Sequence, residues 1–546
     1  MNSINRILSL TLILTSLIGC DPNQQVDVII HNAKIYTVDE TFSIAEAMAI
    51  KDGKIVEIGP EHTILNKFMA TEKLDMNKQV ILPGLIDAHS HFLGYGLTLN
   101  QVNLVGTKSL EAVYEIMKAY ATENNDDWII GRGWDQNDWD EKSFPTNSDL
   151  DSIFPSKYVA IKRIDGHAIL VSKNVLALAG ITSESKVAGG EILLDRNGEP
   201  TGVLVDEAMS LIDSVIPEVT PESKAQALLK AQENCIQVGL TTVTDAGLTI
   251  EEVSQIDALH TNGQLSIRVY AMYSASKEIL NGSRSVSLKT ERLTAKAIKV
   301  YGDGALGSRG AHLLSPYSDD STSVGFMITP EDSLHMWAKF CKSNNLQLAV
   351  HCIGSAGNRK TLNAMAAVLN GTNDLRWRIE HAQMIHPDDH HLFRDNNIIP
   401  SMQPTHVTSD MYWVEERVGG ERKEWTYSTH SLMEQNGLIA LGTDFPVEGI
   451  EPLHTYYAAV TRTDQTGYPE GGFLPGQLVS REEALKGMTI WAAIASFEEE
   501  QKGSLEPGKF ADFVVLDRDI LQCAPTEILS TNVLETWING SLKYEK

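Results

Sequence analysis

Strand and helix alternate eight times through the middle of the chain, and this repetition limits the fold more than any other feature of the sequence. Strand-like runs fall at 80–88, 241–245, 267–273, 297–303, 346–351, 377–381, 398–403 and 438–444. Helices fit between them. Thr220 can cap a helix that opens with Pro221 and ends near Gly239. Another carries Leu362, Met365, Ala366 and Leu369 on one face and stops at Gly371. Eight such units without a nucleotide-type glycine motif predict an α/β protein, a (β/α)8 TIM-like barrel over 81–499. The stretch from about 96 to 235 is too long for one crossover. It reads as an inserted subdomain after strand 1, lying over the barrel mouth. Its tryptophans, Trp128, Trp134 and Trp139, fit either a core or a lid.

Both ends of the chain are β-rich. Residues 26–80 hold short strands with turns, among them the Asp52-Gly53 hairpin signal, and 500–546 hold three more strands. The two ends are expected to pair into a small β-sandwich outside the barrel. The N-terminus differs. Arg6 and the mostly apolar run 7–18 form a secretory signal too short to span a bilayer, and Leu17-Ile18-Gly19-Cys20 resembles a bacterial lipobox. The expectation is a lipoprotein signal peptide over 1–19, a lipidated Cys20, and a polar tether over 20–25. The protein would be exported and held at the bacterial cell envelope by its lipid anchor alone.

Composition narrows the partners. The net charge of −27 disfavours nucleic acid and anionic membrane surfaces as partners. Five Cys in 546 residues make no disulfide framework, and the four after Cys20 show no ligand spacing.

The chemistry gathers at the C-terminal ends of the strands, the face that carries the active site in such barrels. Strand 1 ends Asp87-Ala88-His89-Ser90-His91, and alternation points His89 and His91 to one side. With 16 His in the chain, about half an HxH pair arises by chance, so the strand context carries the signal. Strand 4 puts Ala297, Lys299, Tyr301 and Asp303 on one face. An ammonium inside a barrel is costly unless paired, and a Lys299 carboxylated by CO2 would be an anion able to bridge two metals. Strands 5, 6 and 8 end at His351, His381 and Asp444. Six such residues at strand ends form a metal-ligand set.

These strand ends resemble the amidohydrolase superfamily and, within it, the YtcJ-like group, amidohydrolase family 3. The matching motifs are Leu82-Pro83-Gly84-Leu85-Ile86-Asp87-Ala88-His89-Ser90-His91, Lys299-Val300-Tyr301-Gly302-Asp303-Gly304, Ala349-Val350-His351-Cys352, Ile379-Glu380-His381-Ala382-Gln383, Leu441-Gly442-Thr443-Asp444 and Gly503-Ser504-Leu505-Glu506-Pro507-Gly508. Arg163-Ile164-Asp165-Gly166-His167 in the insertion looks like the same group. The resemblance implies that His89, His91 and Asp444 hold one divalent metal, that His351 and His381 hold a second, and that carboxylated Lys299 bridges them. Zn suits this donor set best, with one or two ions, and Fe, Mn, Co or Ni are compatible. Related deacylases use a Cys ligand, but Cys352 faces away if His351 faces in. Trp134, Asp135, His167, Asp303 and Arg309 are candidates to line the substrate pocket.

The expected reaction is hydrolysis of a carbon–nitrogen bond other than a peptide bond in a small molecule: an amide, an N-acyl or N-formyl compound, or a cyclic amide. Asp444 would act as general base and then protonate the leaving amine. The alternatives are an ester or carbamate hydrolase on the same site, or a metal- or solute-binding lipoprotein without catalysis. Asp444 argues against the last, since a storage site has no use for a base beside open coordination.

Overall fold

The computed structural model describes residues 24–124, 126–282 and 286–546. The signal segment 1–19 and Cys20 lie outside the described residues. The first strand already begins at Gln24, where Gln24 and Gln25 pair with Phe68 and Met69, so the end of the 20–25 tether is part of a sheet.

Eight strands make the barrel: β1 (Leu85–Ser90), β2 (Leu240–Leu248), β3 (Arg268–Ser274), β4 (Leu293–Tyr301), β5 (Gln347–Cys352), β6 (Arg378–His381), β7 (Ile399–Met402) and β8 (Ala440–Leu441). Each pairs in parallel with the next in chain order. Alternation sorts their side chains as expected. On β4, Ile298 and Val300 pack outward into the core shared with the helices, while Ala297 joins Tyr270, Met272 and Ala349 inside the barrel.

The barrel is nearly closed, and its last seam is local. The Asp444 N–H donates to the His89 carbonyl over 2.8 Å. The Asp87 carboxylate accepts from the Thr443 hydroxyl at 2.6 Å and from the Thr443 N–H. A Cβ at Gly442 would stand 2.5 Å from the His89 nitrogen, so only glycine allows β1 and β8 to approach this closely. The strand expected over 438–444 is laddered only at Ala440–Leu441, because beyond it the chain turns to deliver Asp444.

The two termini form a four-stranded and a six-stranded sheet. Ile30, Met48 and Ile50 of the first meet Ile35, Ile81, Phe513 and Trp537 of the second in one core. The Asp52-Gly53 turn takes positive φ at both residues, 51° and 75°, as a tight hairpin turn demands.

Between β1 and β2 lies a second six-stranded sheet, which includes Trp128–Trp134, Tyr158–Arg163, Ala168–Val171 and Pro200–Asp206. Trp134 and Trp139 belong to its core: the Trp134 indole is fully buried and donates to the Ile161 carbonyl at 2.8 Å. The helix Pro221–Gln237, capped by Thr220, then returns the chain to the barrel and packs Leu228, Ala231 and Cys235 into its core. No helix among the described residues is long and apolar enough to cross a membrane.

Candidate metal centre

At the C-terminal mouth of the barrel, three imidazoles are each held from behind. His89 Nδ1 donates to Glu380 Oε2 at 2.5 Å, His91 Nδ1 to the Ala246 carbonyl at 2.9 Å, and His381 Nδ1 to Gln403 Oε1 at 2.8 Å. Each partner oxygen can only accept, so each ring carries its proton at Nδ1 and leaves Nε2 with a free lone pair. Glu380 is fixed in turn by the Arg378 guanidinium at 2.7 and 2.9 Å, deep in the barrel.

Asp444 sits at the centre. Its Oδ1 lies 3.5 Å from His89 Nε2 and 3.3 Å from His91 Nε2, and its Oδ2 lies 3.6 Å from His406 Nε2. The donor atoms fall into two sets that share this carboxylate: His89, His91 and Asp444, then His381, His406 and Asp444. Asp444 and His381 both adopt left-handed backbone, φ 63° and 72°. Non-glycine residues reach that region only at a cost, and such residues concentrate at functional sites. His351 packs its ring 4.6 Å from that of His381, with a buried Nε2 that has no hydrogen-bond partner. Lys299 is fully buried, its Nζ 3.4 Å from His89 Nε2 and 5.0 Å from the Tyr301 ring centre.

The electrostatics follow from burial. Burial, and then the neighbouring Lys299, lowers His89 to about 4, and burial takes His351 and His381 well below the usual imidazole range. Burial also lowers the Lys299 amine to about 8. Burial pushes the Asp444 carboxyl up, but the adjacent His91, His381 and His89 rings outweigh it, leaving the group well below the carboxylate range. Neutral imidazoles facing an ionised carboxylate are the donor state a divalent cation requires. Three buried atoms of this cluster, His351 Nε2, His406 Nε2 and Asp444 Oδ1, have no hydrogen-bond partner. The residues present therefore fit a metal.

The cluster opens into a cavity of about 1000 Å3, walled by the barrel loops and by the insertion. His167 comes from the insertion. Its Nδ1 is 2.5 Å from Asp206 Oδ1, and its ring lies 4.9 Å from that of His351. Asp135 also reaches the cavity, paired together with Asp165 to the buried Arg163.

Three pocket candidates lie elsewhere. Trp134 is in the insertion core, as described. Asp303 follows the end of β4, where alternation no longer governs it. Its buried carboxylate accepts the N–H groups of His312, Ile353 and Gly354 at 2.8–2.9 Å and ties the loops after β4 and β5 together. Arg309 pairs with Asp319 at 2.9 Å and does not line the cavity. Cys352 faces away from His351, its thiol 3.1 Å from the Thr361 hydroxyl.

His406 is the residue that sequence reasoning missed. It stands in the first turn of the helix Pro404–Asp410, stacked 5.9 Å from His381. The signal was Gln403-Pro404-Thr405-His406 directly after β7, a helix start that delivers a side chain to the barrel mouth.

A parallel barrel with buried imidazoles and a carboxylate gathered at its C-terminal mouth is the frame of a metal-dependent hydrolase, and the comparisons agree. The model of the amidohydrolase family matches residues 74–544, and the chain belongs to that family. It is 32% identical over 543 residues to the protein LONG AFTER FAR-RED 3 of Arabidopsis thaliana, covering 95% of this chain and 91% of that one. It is 30% identical to the putative amidohydrolase YtcJ of Bacillus subtilis (94% and 99% covered) and 27% identical to the N-substituted formamide deformylase of Arthrobacter pascens (96% and 99%). Among solved structures, an uncharacterized metal-dependent hydrolase from Pyrococcus horikoshii superposes with a TM-score of 0.74 at 28% identity, over 91% of this chain and 99% of that one. The protein is a hydrolase that uses a divalent metal.

Proposed function

We propose that this protein hydrolyses a carbon–nitrogen bond other than a peptide bond in a small molecule: an amide, an N-acyl or N-formyl amine, or a cyclic amide. His89, His91, Lys299, His351, His381 and Asp444 would hold one or two metal ions, zinc by preference. The observation that carries the reading is Asp444, whose unpartnered Oδ1 stands among the imidazole nitrogens at the base of an open cavity. The name of the Arthrobacter pascens relative, an N-substituted formamide deformylase, supports the bond class.

A divalent metal, when bound, lowers the pKa of water and polarises a carbonyl. The protein supplies the rest. Asp444 takes a proton at its carboxylate as water is activated, then gives it to the departing amine, which would otherwise leave as a poor anion. His167, braced by Asp206, faces the reacting end of the cavity from the insertion and positions the substrate there. Walls drawn from the barrel loops and the insertion flank the substrate beside Asp444.

Lys299 is read as carboxylated: its neutral amine adds CO2 and releases a proton, giving a carbamate anion. Among the described residues its Nζ makes no ion pair, and an unpaired ammonium so deep is costly. A carbamate held among metal ligands removes that cost. The protein is further read as exported and anchored at the cell envelope through a lipid on Cys20.

The test is a panel of N-formyl and N-acyl amines, lactams and their matched esters, offered to metal-replete protein with metal content measured alongside. Turnover of the carbon–nitrogen substrates is expected. Turnover confined to the esters would overturn the bond class.

A further inference from the structure

We propose that the insertion wall of the cavity holds an anion-binding subsite built by Arg132 and Lys162, so that the preferred substrate carries a carboxylate or similar anion away from its scissile bond. This rests on the hydrolase reading above, which it makes more specific.

The geometry begins in the insertion sheet. Trp128–Trp134 and Tyr158–Arg163 are parallel neighbours, and the register sets Arg132 directly beside Lys162. Alternation gives the rest. Ile129, Trp134, Val159 and Ile161 point into the insertion core, while Ala160 and Lys162 lie on the opposite face. That second face is apolar at Ala160, Ile169 and Val171, under the helix Lys173–Ala179. Where it reaches the cavity it becomes two cations.

Like charges beside each other on one sheet face repel, and nothing on the protein neutralises these two directly. Among the described residues, neither Arg132 nor Lys162 forms an ion pair, whereas Arg163 holds two carboxylates and His167 holds a third. Arg132 Nε and Nη2 donate to a single acceptor, the Ile164 carbonyl, at 3.3 and 2.8 Å. A guanidinium has five N–H donors, so this anchor fixes the plane of the group and leaves the remaining donors for a ligand. Lys162 feels the charge of Asp213 without pairing with it, and Arg132 feels that of Asp165 and of Asp444. Arg132 and Lys162 line the same cavity as His91, His351, His381 and Asp444.

A fork-shaped donor fixed from behind, beside a mobile point charge, is an arrangement suited to a carboxylate. The chain as a whole carries a net charge of −27, yet this part of the cavity wall presents two adjacent cations. A substrate anion held there would be drawn to the cavity wall, its scissile carbonyl directed at Asp444 and the imidazoles.

The test uses N-acetylglycine, N-acetyl-β-alanine and N-acetyl-γ-aminobutyrate against their primary carboxamides, which match them in shape and lack the charge. On the metal-loaded protein, Kd is measured for compounds that are not turned over and KM for those that are. At least one acid in this length series is expected to bind about tenfold or more tightly than its carboxamide. The advantage should shrink to about twofold or less in Arg132→Gln and in Lys162→Gln, and return in part in Arg132→Lys. Lys162 is open to the cavity, so its variant keeps the proposal testable if Arg132→Gln fails to fold. An advantage that survives both substitutions would mean that the carboxylate binds at the metal, and would overturn the subsite. So would acids that bind no better than their carboxamides, or variants that weaken acids and carboxamides equally. A preference for acids that depends on Arg132 and Lys162, seen without any turnover, would uphold the subsite and count against the hydrolase reading alone.

Discussion

His89 Nδ1 and Glu380 Oε2 lie 2.5 Å apart with neither side chain exposed, and Arg378 grips the same carboxylate from the other side. A residue that touches no substrate thus sets which nitrogen of His89 faces the cavity. Glu380→Gln weakens that constraint and leaves Arg378 short of its counter-charge. Removing a hydrogen-bonding partner behind a metal ligand typically costs about 10–100-fold in affinity. Zinc affinity, read by competition with a chromophoric chelator, is expected to fall by that order. Unchanged affinity would show that β1 alone aims His89.

Lys299 gives a second test. Lys299→Ala should lower metal content and activity together, because two cations would lose the anion between them. Added acetate or propionate should restore part of the activity by occupying the space left. In the wild type, a carbamate signal in the carbon-13 spectrum after incubation with labelled bicarbonate is the direct sign of the modification. Full activity in Lys299→Ala would rule out the bridge.

Much of this centre was legible in the sequence, because strand parity is a strong constraint. His89, Lys299, His351 and His381 lie on or at the end of paired strands, where a period of two decides which way a side chain points. Legibility ended where the strands ended. Asp303 has the parity of Lys299, but the ladder stops at Tyr301, and the next residues turn to bind backbone N–H groups of other loops. His406 sits in a helix turn, where the period of two says nothing. Trp134 shows the limit of composition: an aromatic near a cluster reads equally as lid or core, and its full burial in the insertion core and its hydrogen bond to Ile161 decide. The pairing of Arg132 with Lys162 needed the register between two strands about thirty residues apart in sequence, which neither strand encodes alone.

Cys20 tests the cellular side of the proposal. Cys20→Ser removes the thiol that would carry the lipid, and with it the acyl chains on which stable anchoring would rest. The variant is expected in the soluble fraction or as an uncleaved precursor. A variant that still fractionates with membranes and migrates as the mature wild type would contradict lipid anchoring.

The most direct measurement is kcat of Asp444→Asn at known metal content. Asparagine keeps the shape and one oxygen toward the imidazoles but cannot accept a proton as a carboxylate does. Positioned acid–base groups are typically worth about 10²–10⁴ in rate. With metal content held near the wild-type level by loading, kcat should therefore fall about 10²-fold or more. A metal-replete Asp444→Asn variant that turns over at the wild-type rate would contradict the role of Asp444 as the base.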